Sequence, residues 1–181
     1  MPKKKLVGLA IEHKVATFDQ TEWISNKGLM GNSKGVCYGL SALWLAKKGG
    51  RAFHDYVDSA AAKEDVQTIQ GTQTDGSQIQ ATLAAAGQKI LRDGHLFYYP
   101  LAEMFKAIAA PGHYLIGLKA GGKGNGHAIA CSNILGGGKV FDPNLGQISC
   151  KELHEMPTIV RTICSSVYPE FDTAMWIKSL S

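Results

Sequence analysis

No apolar run in this 181-residue chain reaches the roughly 18 residues that span a bilayer, so no transmembrane segment is expected. No Sec-type secretory signal is expected either. The start, Met1-Pro2-Lys3-Lys4-Lys5, is basic, but Leu6–Ile11 is shorter than the roughly 7–15-residue apolar core of a signal peptide before Glu12 interrupts it. Paired cysteines are absent. Cys37, Cys131, Cys150 and Cys164 are widely spread and form no C-x-x-C, which leaves zinc ribbons and thioredoxin-like motifs unsupported. Four thiols in a chain of this length do not make a disulfide scaffold, and free thiols in a reducing compartment are expected. An extended basic face is also lacking. The net charge is +4, yet without Lys3, Lys4 and Lys5 it falls to +1, so the basic balance describes a tail and no nucleic-acid surface.

The chain does have core-forming material. Hydrophobic residues make up 45% and charged residues 19%, a balance that suits a folded domain and not a disordered chain. The expected organisation is a single domain over residues 1–181, with 1–30 a partly flexible N-terminal segment. Leu40, Leu43, Trp44 and Ala46 follow helical spacing and Gly49-Gly50 stops it, predicting a helix over 36–48. Further helices are predicted from near His54 to Gln70, over Gln78–Leu91, and from Pro100 to about Ala110. The pattern then changes. His113–Leu118, His127–Ser132 and Lys139–Asp142 read as strands, the last two joined as a hairpin through Asn133-Ile-Leu-Gly-Gly-Gly138. Ser149-Cys-Lys-Glu152 matches a capping box and predicts a helix start there, with Pro157 kinking or restarting the helix. Thr173–Leu180 reads as a final strand. Helices first and antiparallel strands second imply an α+β fold.

Several catalytic patterns fail on inspection. Gly117–Lys123 approaches a P-loop, but Gly124 stands where Ser or Thr should ligate Mg²⁺. Gly31-Asn-Ser-Lys-Gly35 matches G-x-S-x-G without the buried strand a nucleophile elbow needs. His154-Glu155 opens H-E-x-x-H and lacks its second histidine. No motif requires a cofactor or a structural metal.

Cys37 stands apart because it falls where a Gly-rich loop becomes a helix. Unpaired N–H groups and the partial positive charge at a helix start favour a thiolate. Gly35 and Gly39 leave room for a substrate backbone. A structural cysteine opening a core helix would fit the same position. His127 opens an apolar strand, and Asp142 ends the partner strand 15 residues later. A hairpin can bring the two together, so that the carboxylate fixes the imidazole tautomer and frees the other nitrogen for a thiol. Asp142-Pro-Asn-x-Gly146 is also a turn signature, so Asp142 could serve only as a turn residue.

At these residues a resemblance becomes visible. Asn32-Ser-Lys-Gly-Val-Cys37-Tyr-Gly-Leu-Ser-Ala-Leu-Trp44 resembles the nucleophile segment of the YopT-type bacterial effector cysteine proteases. Gly126-His127-Ala-Ile-Ala resembles their histidine segment, and Val140-Phe-Asp142-Pro-Asn-Leu-Gly146 their acid segment. The resemblance implies a papain-like α+β fold, a helical part carrying Cys37 as nucleophile packed on an antiparallel sheet carrying His127 as base and Asp142 as orienter. It also implies that Asn32, five residues before the cysteine, helps to form the oxyanion hole. The implied activity is endopeptidase cleavage of a host-cell protein, by an effector secreted without a cleaved signal, often through type III secretion, and acting in the host cytoplasm. Two alternatives use the same parts. One is a transglutaminase, deamidase or acyltransferase sharing the acyl-enzyme; the other is a binding module that kept the fold and lost turnover.

Overall fold

The computed structural model describes residues 14–29, 36–71, 89–90, 95–121, 123–134 and 137–180. The elements run β1 (Lys14–Ala16), α1 (Gln20–Asn26), α2 (Cys37–Ala46), α3 (Gly50–Val57), α4 (Ala60–Gly71), β2 (Lys89–Ile90), β3 (His95–Pro100), α5 (Leu101–Ile108), β4 (Gly112–Ala120), β5 (Lys123–Ile134), β6 (Gly137–Asp142), β7 (Gly146–Cys150), α6 (Glu155–Val167) and β8 (Thr173–Leu180). The strands make one antiparallel sheet in the order β1-β7-β6-β5-β4-β8-β2, with β3 also paired to β8. The fold is α+β and papain-like, as expected, with the helix that starts at Cys37 packed on the sheet.

Side chains alternate along each strand, and here both faces are apolar. Leu115, Ala128, Ala130, Phe141 and Ile177 point into one core with α1, α2, α3 and α4. Tyr114, Ile116, Ile129, Cys131, Val140 and Trp176 point into a second core with α5 and α6. Helices therefore cover the sheet on both sides, which the grouping of helices before strands did not anticipate.

α2 lies at the centre of the first core. Every residue from Cys37 to Leu45 is buried, the pattern of a helix enclosed on all sides. The Ser41 hydroxyl, one turn beyond Cys37, donates to the Ala128 carbonyl at 3.0 Å, and Trp44 Nε1 donates to Gln147 Oε1 at 3.0 Å. These bonds fix the helix against β5 and β7. Gly39 is where α4 meets α2: a Cβ there would stand 2.4 Å from the Val66 carbonyl oxygen. The space expected to admit a substrate at Gly39 is therefore filled by α4.

Other local expectations are corrected. The helix predicted from His54 to Gln70 is two, α3 and α4, broken at Asp58-Ser59. Most of the helix predicted over Gln78–Leu91 lies outside the described residues, and its Lys89-Ile90 forms β2 against β8. Ser149 and Cys150 end β7, so no helix starts there. α6 begins at Glu155, whose carboxylate accepts the Glu152 N–H at 3.0 Å, and Pro157 sits in its first turn, where a missing N–H costs little. The segment before residue 36 contains β1 and α1, the latter capped by Asp19, which accepts from Thr21 N at 2.8 Å. Gly117–Lys123 joins β4 to β5 as antiparallel strands and leads into no helix, unlike a P-loop.

Candidate active site

Cys37 is the first residue of α2, with Val36 at the N-cap position. The N–H groups of a first helical turn have no carbonyl within the helix to bond. One of them, Gly39 N–H, donates instead to the Gln70 side chain of α4 at 2.9 Å. His127 lies on β5, just beyond an irregularity in the β4–β5 register between Leu118 and Ala120. Asp142 ends β6. Ala130 pairs with Phe141, so one step further Asp142 falls opposite Ile129, and His127 lies two residues along on the same face. That diagonal spacing suits a side-chain hydrogen bond.

The bond is present. His127 Nε2 and Asp142 Oδ1 are 3.0 Å apart, with side chains 6% and 0% exposed. The same Oδ1 accepts the Asn144 N–H at 2.8 Å, so Asp142 holds its own turn as well as the histidine. Gly146, at φ +104, closes that turn; a Cβ there would meet the Ala16 carbonyl at 2.1 Å, which reserves the position for glycine.

Cys37 neighbours the imidazole, near enough to act on its charge. With Nε2 committed to Asp142, Nδ1 is the ring nitrogen left for a thiol. Burial alone would push the imidazole's pKa down. The charge and hydrogen bond of Asp142, with the Cys37 contact, outweigh it and raise the value from 6.5 to about 10. The site thus forms at the rim of the sheet. Cys37 arrives from the α2 side, and Asp142 and Tyr168 meet the imidazole from the α6 side. A cleft of about 60 Å³ opens beside His127, lined mainly by apolar groups such as Leu115, Met175 and Ile177.

The structure therefore brings together three of the four residues singled out in the sequence. The fourth, Asn32, lies outside the described residues, as does the Gly31–Gly35 segment. The remaining thiols, Cys131, Cys150 and Cys164, are buried in the second core. Burial pushes all three above the usual thiol range, Cys164 to about 12, so they are poor nucleophiles. Sequence reasoning missed Tyr168 and Asn144. Tyr168 OH lies 3.0 Å from both His127 Nε2 and Asp142 Oδ1, and Asn144 Nδ2 donates to that hydroxyl at 2.9 Å. Asn144 sits inside the turn signature and could have been noticed there. A tyrosine at a helix end reads only as packing.

A cysteine opening a buried helix, beside a histidine–aspartate pair on an antiparallel sheet, is the arrangement of papain-like cysteine proteases. The chain belongs to the family described as Yersinia/Haemophilus virulence surface antigen, whose family model matches residues 9–161. It is a cysteine protease of a bacterial virulence family. Among solved structures, it is similar to the Pseudomonas avirulence protein AvrPphB, with a TM-score of 0.69 and 20% identity, covering 96% of this chain and 100% of that one. It also resembles PatoxP, a cysteine protease-like domain of the Photorhabdus asymbiotica toxin PaTox, with a TM-score of 0.55 and 10% identity, covering 98% of this chain and 57% of that one. At these identities both likenesses describe the fold. No curated protein sequence matches the chain.

Proposed function

We propose that the protein is an endopeptidase in which Cys37 is the nucleophile, His127 the general base and acid, and Asp142 the residue that orients His127. One observation supports this reading: a single buried imidazole bonds Asp142 through Nε2 and has Cys37, the first residue of a helix, as its neighbour. His127 takes the Cys37 proton, and Sγ attacks the carbonyl carbon of the scissile peptide. The oxyanion forms beside the Cys37 backbone N–H, with the Asn32 side chain as the second donor. Collapse breaks the C–N bond as His127 protonates the departing amine, leaving a thioester on Cys37. Water, deprotonated by His127, then attacks the thioester and releases the new carboxylate and the free thiol.

The substrate is a host-cell protein. The reading includes secretion as an effector without a cleaved signal, through a type III route, and action in the host cytoplasm; the support is the virulence character of the family. The test incubates host-cell lysate with wild-type protein or Cys37→Ala and identifies new protein termini by mass spectrometry. Discrete new termini with wild type alone are expected. Their absence, or a product mass showing amine transfer in place of hydrolysis, would overturn the proposal. On the substrate so found, Asn32→Ala should lower kcat by about 10²–10³ with KM nearly unchanged.

A further inference from the structure

Tyr168 takes no part in the proton transfers above, yet its hydroxyl sits at their centre. It occupies the C-terminal cap position of α6 and is buried. Its ring lies 4.6 Å from that of His127 and stacks on Phe171 at 5.7 Å. Its oxygen is within 3.0 Å of Asp142 Oδ1 and of His127 Nε2, and receives the Asn144 amide at 2.9 Å.

Donor counting assigns the direction of each bond. A carboxylate only accepts, so the single hydroxyl proton goes to Asp142 Oδ1. The oxygen then has lone pairs left for two donors: the Asn144 amide is one, and the other is the single Nε2–H, shared between this oxygen and Asp142 Oδ1. A His127 tautomer with a bare Nε2 would set its lone pair against Asp142 Oδ1 and the tyrosine oxygen together, while the hydroxyl proton is already engaged. Whenever the imidazole is neutral, the hydroxyl thus acts with Asp142, which takes its proton, against the unproductive tautomer. It also fixes the carboxylate. Oδ1 accepts from His127, Tyr168 and Asn144, whereas the buried Oδ2 bonds no protein group among the described residues. Without Tyr168 the carboxylate has less reason to keep Oδ1 toward the imidazole. Burial, followed by the Asp142 charge, raises the phenol's pKa far above its ordinary value, so the group stays a neutral donor throughout.

We infer that Tyr168 is a positioning residue of this active site, bridging Asp142 Oδ1 and His127 Nε2 so that the imidazole keeps its proton on Nε2 and presents Nδ1 to Cys37. The inference rests on the Cys37–His127–Asp142 reading and adds a fourth group from a different layer of the fold.

Iodoacetamide provides a test that needs no substrate. The rate of Cys37 alkylation at pH 7, followed by peptide mass spectrometry, reports how well His127 sustains the thiolate. Tyr168→Phe keeps the ring and its stacking and removes only the hydroxyl. Alkylation of Cys37 should slow by about tenfold to a hundredfold, as for loss of a hydrogen bond to a charged group. The downfield proton resonance of His127 Nε2–H should move, and the melting temperature should stay within a few degrees of wild type. Wild-type alkylation with an unmoved resonance would overturn the inference and leave Tyr168 as packing. If Tyr168→Phe does not fold, Asn144→Ala serves instead. It keeps the hydroxyl and removes the amide that anchors it, so a smaller slowing supports the inference and an unchanged rate overturns it. His127→Ala is the control: if it fails to slow alkylation, the triad itself is wrong; if it does slow it while Tyr168→Phe is silent, only the role of Tyr168 falls.

Discussion

On one face of the sheet α2 is buried along its length from Cys37 to Leu45, whereas on the other α6 buries Met156, Ile159, Val160, Ile163 and Cys164 and leaves Thr158, Arg161 and Ser165 exposed. The first face is dense with aromatics: Phe141 stacks on Trp44 at 5.7 Å and meets Phe53 at 4.9 Å. The second is built largely from aliphatic side chains, methionines and buried thiols. Cys37 rides on the enclosed helix, where packing from every direction sets its position. The amphipathic helix contributes to the site through the residue just beyond its end, Tyr168. An enclosed helix couples any packing error directly to Cys37, whereas a covering helix can loosen along most of its length before the site is disturbed.

The largest expected effect strikes where the two faces meet. Asp142→Asn should keep the turn, because an amide oxygen can still accept the Asn144 N–H, while allowing the wrong His127 tautomer. Turnover should fall by on the order of 10⁴-fold in a variant that still folds. Near-normal turnover would reduce Asp142 to a turn residue.

Ile163→Ala opens a void on the α6 face and should cost about 2–5 kcal/mol in denaturant unfolding. Conditions that keep the variant folded should preserve most of its activity. Gly39→Ala acts on the enclosed face, where α4 must retreat from the new methyl, and should cost about 1–3 kcal/mol. Its activity should fall more than that of Ile163→Ala despite the smaller loss of stability, because the displaced helix turn carries Cys37. Equal activity losses per unit of stability would erase the contrast between the faces.

The smallest effect near neutrality comes from pH. The folded protein raises the His127 pKa from 6.5 to about 10, so it holds a proton that the unfolded chain releases. The resulting stability is complete below about pH 6.5 and is lost as the pH rises toward 10. The melting temperature should therefore decline across that window, and Asp142→Asn, which removes the charge that raises the pKa, should flatten the decline.

Elements with strong local signals were legible in the sequence. The α2 stripe before Gly49-Gly50, the hairpin of β5 and β6 around its glycines, and the β8 run all appear close to where they were expected. The boundaries that failed were those decided by neighbours. Ser149 and Cys150 carry the letters of a helix cap, yet pairing with Lys139 and Gly138 on β6 holds them in a strand. The α3–α4 break at Asp58-Ser59 has no glycine or proline to announce it, and the Asp58 and Ser59 carbonyls are engaged by Lys27, the residue that caps the end of α1.

The sequence by itself determined that a cysteine opens a helix, and that a histidine and an aspartate occupy the two strands of one hairpin, because helix periodicity, glycine turns and strand alternation act over a few residues. Only the tertiary structure decided that α4 fills the space at Gly39, that both faces of the sheet are covered, and that Tyr168, 41 residues beyond His127, reaches its Nε2. Those outcomes depend on which elements meet across the sheet. No local pattern encodes such a meeting, because it is the packing of the whole core that selects it.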